Sequence, residues 1–205
     1  MLTGIRHAPV LVLGFVLLAV VLACGSAAEP SFDKALVALQ LGEYERAIED
    51  LNEAIRLDPQ YIAAYFDRGV AYVNLGQYER AIEDYDEARR LDPQYAGVYR
   101  NRGLAYHALG QYERAIREFD EAITVASQSR SQPFLSSPST YKARAYSYFE
   151  LGQYERAIED FDRVIRLDPD DFKAYFGRGL AHENLGQQEL ADRDFAKAKE
   201  LGYNP

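Results

Sequence analysis

Few residues in this chain could do covalent or metal chemistry: one cysteine, three histidines and a large stock of carboxylates. A nucleophile needs a base within reach, and a metal needs ligands that converge. The histidines offer neither. His7 lies near the N-terminus, and His107 and His182 stand 75 residues apart with no second ligand at metal spacing. A lone cysteine excludes an internal disulfide framework and a thiolate zinc cluster. No GxSxG or HExxH occurs, and the glycines do not follow the spacing of a phosphate-binding loop. Most Asp and Glu residues fall in stretches such as "YERAIED", beside arginines at helical spacing. That pattern reads as a solvated face with weak ion pairs. A catalytic carboxylate pair needs surroundings that split its two pKa values, and nothing here suggests one. The sequence predicts no enzyme, no cofactor and no metal.

Bulk properties narrow the partner. The chain has 205 residues and a net charge of −9, and its first 23 residues hold one cation, Arg6, and no acid. So acidic a body gains nothing from counterion release on phosphate backbones, and no nucleic-acid partner is expected. Near the N-terminus, "VLVLGFVLLAVVLA" gives 14 apolar residues, 10–23. A bilayer span needs about 20, so this segment fits the apolar core of an export signal. It ends in "VLAC", with Cys24 directly after a small residue and "GSAA" following. This resembles the lipobox of bacterial lipoproteins, although Leu22 is larger than usual at its position. The resemblance implies a signal peptide over 1–23, a lipid on Cys24 and a tether over 24–30. It further implies a membrane-anchored lipoprotein on the extracytoplasmic side of the cell envelope. The alternative is a signal anchor with an incidental cysteine.

The rest of the chain repeats itself. "LGEYERAIEDLNEAIRLDP", "LGQYERAIEDYDEARRLDP", "LGQYERAIREFDEAITVAS" and "LGQYERAIEDFDRVIRLDP" are followed by a blurred fifth copy, "LGQQELADRDFAKAKELGY". Ala47, Ala81, Ala115, Ala157 and Ala191 mark one position, with steps of 34, 34, 42 and 34 residues. Such a period points to stacked helical pairs. In the second copy Tyr65, Gly69 and Tyr72 share a face of a first helix. Tyr78, Ala81, Tyr85 and Ala88 share a face of a second. Gly76 separates the two helices, and "LDP" at 91–93 stops the second. Ile48, Ile82, Ile116 and Ile158 are expected to face the next repeat. Asp192 stands at that position in the last copy, as a terminal repeat requires.

This pattern resembles the tetratricopeptide repeat (TPR) family. The resemblance implies an all-α solenoid, a right-handed superhelix of about five 34-residue repeats. Their expected bounds are 28–61, 62–95, 96–129, 138–171 and 172–205, with a loop insertion over 130–137 in the Ser/Pro-rich stretch 126–140. It also implies a peptide groove on the concave side, next to the packing face of the first helices. Carried onto this chain, the groove residues are Phe66, Val70, Val73 and Asn74, then Arg100, Asn101 and Leu104. Lys142, Tyr146 and Phe149 follow, then Lys173, Phe176 and Leu180; Asp67 lies in the same stretch. Arg100, Lys142 and Lys173 would form a basic track, favouring an extended peptide with apolar side chains and some negative charge. The expected function is a non-catalytic protein- or peptide-binding scaffold anchored at the envelope. The alternative is a self-associating component of a larger envelope complex, using repeat faces or Phe134 and Leu135 of the insertion.

Overall fold

A computed structural model of the chain describes residues 27–128 and 138–203. The expected signal, Cys24 and the 130–137 insertion with Phe134 and Leu135 lie outside the described residues. Within them the fold is entirely helical: α1 Glu29–Leu41, α2 Tyr44–Leu57, α3 Ile62–Asn74, α4 Tyr78–Leu91, α5 Ala96–Ala108, α6 Tyr112–Gln128, α7 Pro138–Glu150, α8 Tyr154–Leu167, α9 Phe172–Asn184 and α10 Gln188–Glu200. Helix α1 takes in Glu29 and Pro30, two residues expected in the tether, because Pro fits the first helical turn.

Local signals set the helix ends. At the α3–α4 turn Gly76 adopts φ 72°. Its N–H donates to Val73 O at 3.0 Å, and Gln77 N–H donates to Tyr72 O at 2.8 Å, which closes the helix in a Schellman-type turn. Second helices end at Asp58, Asp92 and Asp168, each extended before a proline. Copy three lacks that Asp-Pro stop, and α6 runs to 17 residues where α4 has 14.

Helices pack along the chain as pairs, α1 on α2 through α9 on α10, and each second helix also packs on the next first helix. The pairing includes α6 on α7, across the 42-residue step. Leu51, Tyr85, Phe119 and Phe161 occupy one position of successive second helices and are fully buried. Gly69 and Gly103 lie against Tyr85 and Phe119; a Cβ there would come within 2.5 and 2.6 Å of the rings. Copy four solves the same problem differently. Ala145 stands where Gly69 and Gly103 stand, and the Phe161 ring meets the next repeat, where Gly177 leaves room that a side chain would fill (2.4 Å). Ile48 packs on the second repeat's core, as its spacing predicts, and Ile123 of α6 packs on the fourth's. Asp192 and Lys199 on α10 are exposed.

The carboxylates depart from the sequence expectation. Many do pair weakly along exposed helix faces, Arg46 with Glu43 and Arg56 with Glu53 among them. Others are buried in a ladder. Arg68 grips Asp84 with both fork nitrogens (2.8 and 2.6 Å) and donates to Asn52 at 2.6 Å. Arg102 does the same with Glu118 and Asp86. Arg144 holds Asp160 (2.7 and 2.7 Å) and Asp120 (2.5 Å), and Arg178 holds Asp194 and Asp162. Each arginine sits on a first helix, forks onto its own repeat's second helix and reaches back to the preceding one. Ala196 stands where a sixth repeat would find its acceptor, so the ladder ends with the fifth.

Candidate binding groove

First helices of successive repeats touch one another, α3 on α5, α5 on α7 and α7 on α9, with less between successive second helices. A stack closer along its first helices curves towards them, which places them on the concave side. At the period of a helix, Asp67, Val70 and Asn74 lie together on one stripe of α3.

Val70, Leu104 and Leu180, at the middle of their helices, are partly exposed and lie outside the buried clusters. The aromatic candidates serve the stack as well as its surface. Phe66 lies 5.0 Å from the Tyr95 ring, just before α5, and 5.9 Å from Tyr85. Val73 packs on the same cluster. Tyr146 rests edge-on against Phe161 at 5.3 Å, and its hydroxyl donates to Lys173 O. Phe149 meets Tyr154 edge-on, and Phe176 stacks on Tyr203 at 4.3 Å. Asn74 and Asn184 donate to the carbonyls of Val70 and Leu180, so each amide is turned onto its own helix. Asn101 is half-buried.

The expected track of three free cations changes character. Lys142 is bound by Asp171. Lys173 is exposed, its ammonium 5.9 Å from the centre of the Phe172 ring. Arg100 buries its Nε with no hydrogen-bond partner among the described residues. Asp171 lies 29 residues from Lys142, where a reading along one helix would not look.

Two recesses are lined in part by groove candidates. One, of about 200 Å³, sits at the junction of repeats three and four, lined by Leu104, His107, Ser139, Lys142, Ala143 and Tyr146. It brings together three candidates from two repeats. Burial holds the His107 imidazole below its ordinary pKa despite Glu150, and its Nδ1 lies 2.9 Å from Ser147 Oγ. The other, of about 320 Å³, is lined by Phe176, Phe195, Lys199 and Tyr203 at the end of the stack. Two larger recesses take in ladder members, Arg144 with Asp160 in one and Arg178 with Asp194 in the other, whose charges already match each other. His182 occupies the position of Tyr72 and Tyr106; its Nδ1 lies 2.6 Å from Gln187 Oε1, a packing role. The arrangement offers apolar recesses between half-buried polar groups, which suits holding an extended chain.

Comparison with known proteins agrees with this architecture. A family model described as TPR repeat matches residues 35–76, 69–110 and 145–186. Two described as tetratricopeptide repeat match 96–129 and 172–201. No curated protein matches the chain. Among solved structures, MamA residues 41–end from Desulfovibrio magneticus RS-1 is 23% identical, covering 87% of this chain and 97% of its own, with a TM-score of 0.78. Another MamA structure is 24% identical over 87% and 93%, with a TM-score of 0.76. YrrB, described as a TPR protein with an unusual peptide-binding site, is 20% identical over 86% and 87%, with a TM-score of 0.70. At these identities the likeness is one of fold.

Proposed function

Because the chain belongs to the tetratricopeptide repeat family, we propose that it is a non-catalytic scaffold that holds an extended protein segment along its concave side. The observation that carries this reading is the recess at the junction of repeats three and four. There Leu104 and His107 of α5 meet Lys142, Ala143 and Tyr146 of α7, so neither repeat alone forms it. Val70, Leu104, Tyr146 and Leu180 hold one position of successive first helices and continue a largely apolar line, and apolar anchors in recesses carry most of the energy of such interfaces. The YrrB fold, with its described peptide-binding site, lends support.

The test uses the full chain in detergent, panned against displayed random 12-residue peptides. Val70→Glu/Leu104→Glu is expected to weaken the selected peptides at least tenfold while the protein still melts cooperatively, since both side chains are partly exposed and lie outside the buried clusters. Peptides that bind both proteins equally would move the interaction off this groove.

Anchoring at the cell envelope completes the proposal. Its support is the apolar run 10–23 ending in Val21-Leu22-Ala23-Cys24, with the chain's single cysteine at the lipid-acceptor position. Two acyl signals hold a protein on a membrane where one alone dissociates, so a diacylated Cys24 would suffice as the anchor. Cys24→Ala is expected to abolish labelling by radioactive palmitate in a bacterial host. A wild-type chain that takes up no label would refute the anchor and leave the groove untouched.

A further inference from the structure

Buried carboxylates in this fold come with a cation. Asp84, Asp160 and Asp194 each hold an arginine fork, and Asp171 holds Lys142. Asp67 breaks the rule. It sits half-buried on α3 beside Phe66, and among the described residues it forms no hydrogen bond or salt bridge. Its surroundings are aromatic. Tyr61, just before α3, packs on Phe32 at 4.8 Å, and Tyr95, just before α5, packs on Phe66 at 5.0 Å. Burial raises the Tyr61, Tyr85 and Tyr95 phenols, and the Asp67 charge raises all three further, while the Arg100 guanidinium opposes it at Tyr85. A lone carboxylate set among rings is complementary to a cation on an apolar stem. The charge meets the carboxylate, ring faces attract cations, and the stem lies along the aromatic wall.

We propose that Asp67, with Tyr61, Phe66 and Tyr95, forms a subsite that receives a lysine or arginine side chain of a peptide lying in the groove. This rests on the groove reading above and reverses the sign expected from the sequence. An anionic peptide would meet an uncompensated carboxylate here, while Lys142, expected to attract it, is already bound by Asp171. Selectivity for a basic residue would come as much from repelling acidic segments as from attracting basic ones.

The cost of keeping this carboxylate supplies a second readout. Burial raises Asp67 to about 6, above the unfolded value of about 3.9. The native state therefore binds the extra proton between these values, and stability falls as pH rises through 6. The Tyr61, Tyr85 and Tyr95 phenols, on which the Asp67 charge acts, stay protonated throughout that range, and the neighbouring cation is Arg100, whose charge acts on Tyr85. Asp67→Asn should melt higher than wild type at pH 7, and the difference should vanish near pH 4.

The experiment pans the same 12-residue library on the full wild-type chain, on Asp67→Asn and on Val70→Glu/Leu104→Glu. The expected result is enrichment of Lys and Arg in the wild-type pool. Those peptides should lose at least tenfold in affinity on Asp67→Asn, which still melts higher at pH 7. Peptides that depend on Val70 and Leu104 but show no basic enrichment, and bind Asp67→Asn equally, would overturn the subsite and leave the groove standing. Peptides indifferent to Val70 and Leu104, or no selected peptides at all, would overturn both. A lower melt for Asp67→Asn at pH 7 would show that the carboxylate has a structural partner, and would also overturn the subsite.

Discussion

Arg144→Met is expected to destabilise the fold by about 3–5 kcal/mol, the range for breaking one side of a buried ion pair. Burial opposes the Arg144 charge. The hydrogen bonds and charge of Asp160, with those of Asp120, outweigh that and hold the guanidinium well above its ordinary pKa. Without it, Asp160 loses its fork partner with only 7% of its side chain exposed, while Asp120, half exposed, can return to water. Most of the loss therefore comes from Asp160. Arg144→Met/Asp160→Leu removes both buried charges and should recover most of it, because an apolar pair of similar volume often replaces a buried ion pair at little cost. Arg56→Met on the exposed face of α2 is the control and should leave the urea midpoint where it was. Urea unfolding followed by circular dichroism reads all three. A loss below about 1 kcal/mol for Arg144→Met would mean that the ladder is hydrated and behaves like a surface pair.

The ladder also marks where sequence reading stopped. Alanines, glycines and aromatics recurring at 34-residue steps were legible because each residue packs at its own repeating position. Tyr85 against Gly69 needs only two helices and one turn. The arginines recur with the same steps, at 68, 102, 144 and 178, each with an acid 16 residues on. That signal was present. It is lost when charges are compared only three or four residues apart, since these partners lie on different helices. Lys142 and Asp171 escape for the same reason. Among the groove candidates, Val70 and Leu104 were legible as apolar positions beside the packing face, and both are partly exposed. Phe66 and Tyr146 were legible only in part, because their packing depends on Tyr95 and Phe161 from neighbouring elements. Asp67 could be seen as an acid, but that it forms no ion pair among the described residues is a property of the assembled repeats.

Phe161→Ala is the second large effect, expected at about 3–5 kcal/mol for a fully buried ring whose void cannot collapse. Three surfaces meet this ring: Ala145 of its own repeat, Gly177 of the next and the edge of Tyr146. Two of them have already been trimmed to fit it, so neither has side-chain atoms to move into the space. In a linear stack each repeat contacts only its neighbours, and the damage should therefore be local. Amide exchange should quicken across α7–α10 and stay slow in α1–α4, which share no contact with the ring. Phe161→Leu should restore part of the protection by refilling part of the void. The same change should weaken peptides held at the recess of Leu104 and Tyr146, since Tyr146 loses the ring it leans on, while contacts near Asp67 persist. Uniform loss of protection over all five repeats would instead show that the solenoid unfolds as one unit, with the Phe161 junction no weaker than its cooperativity.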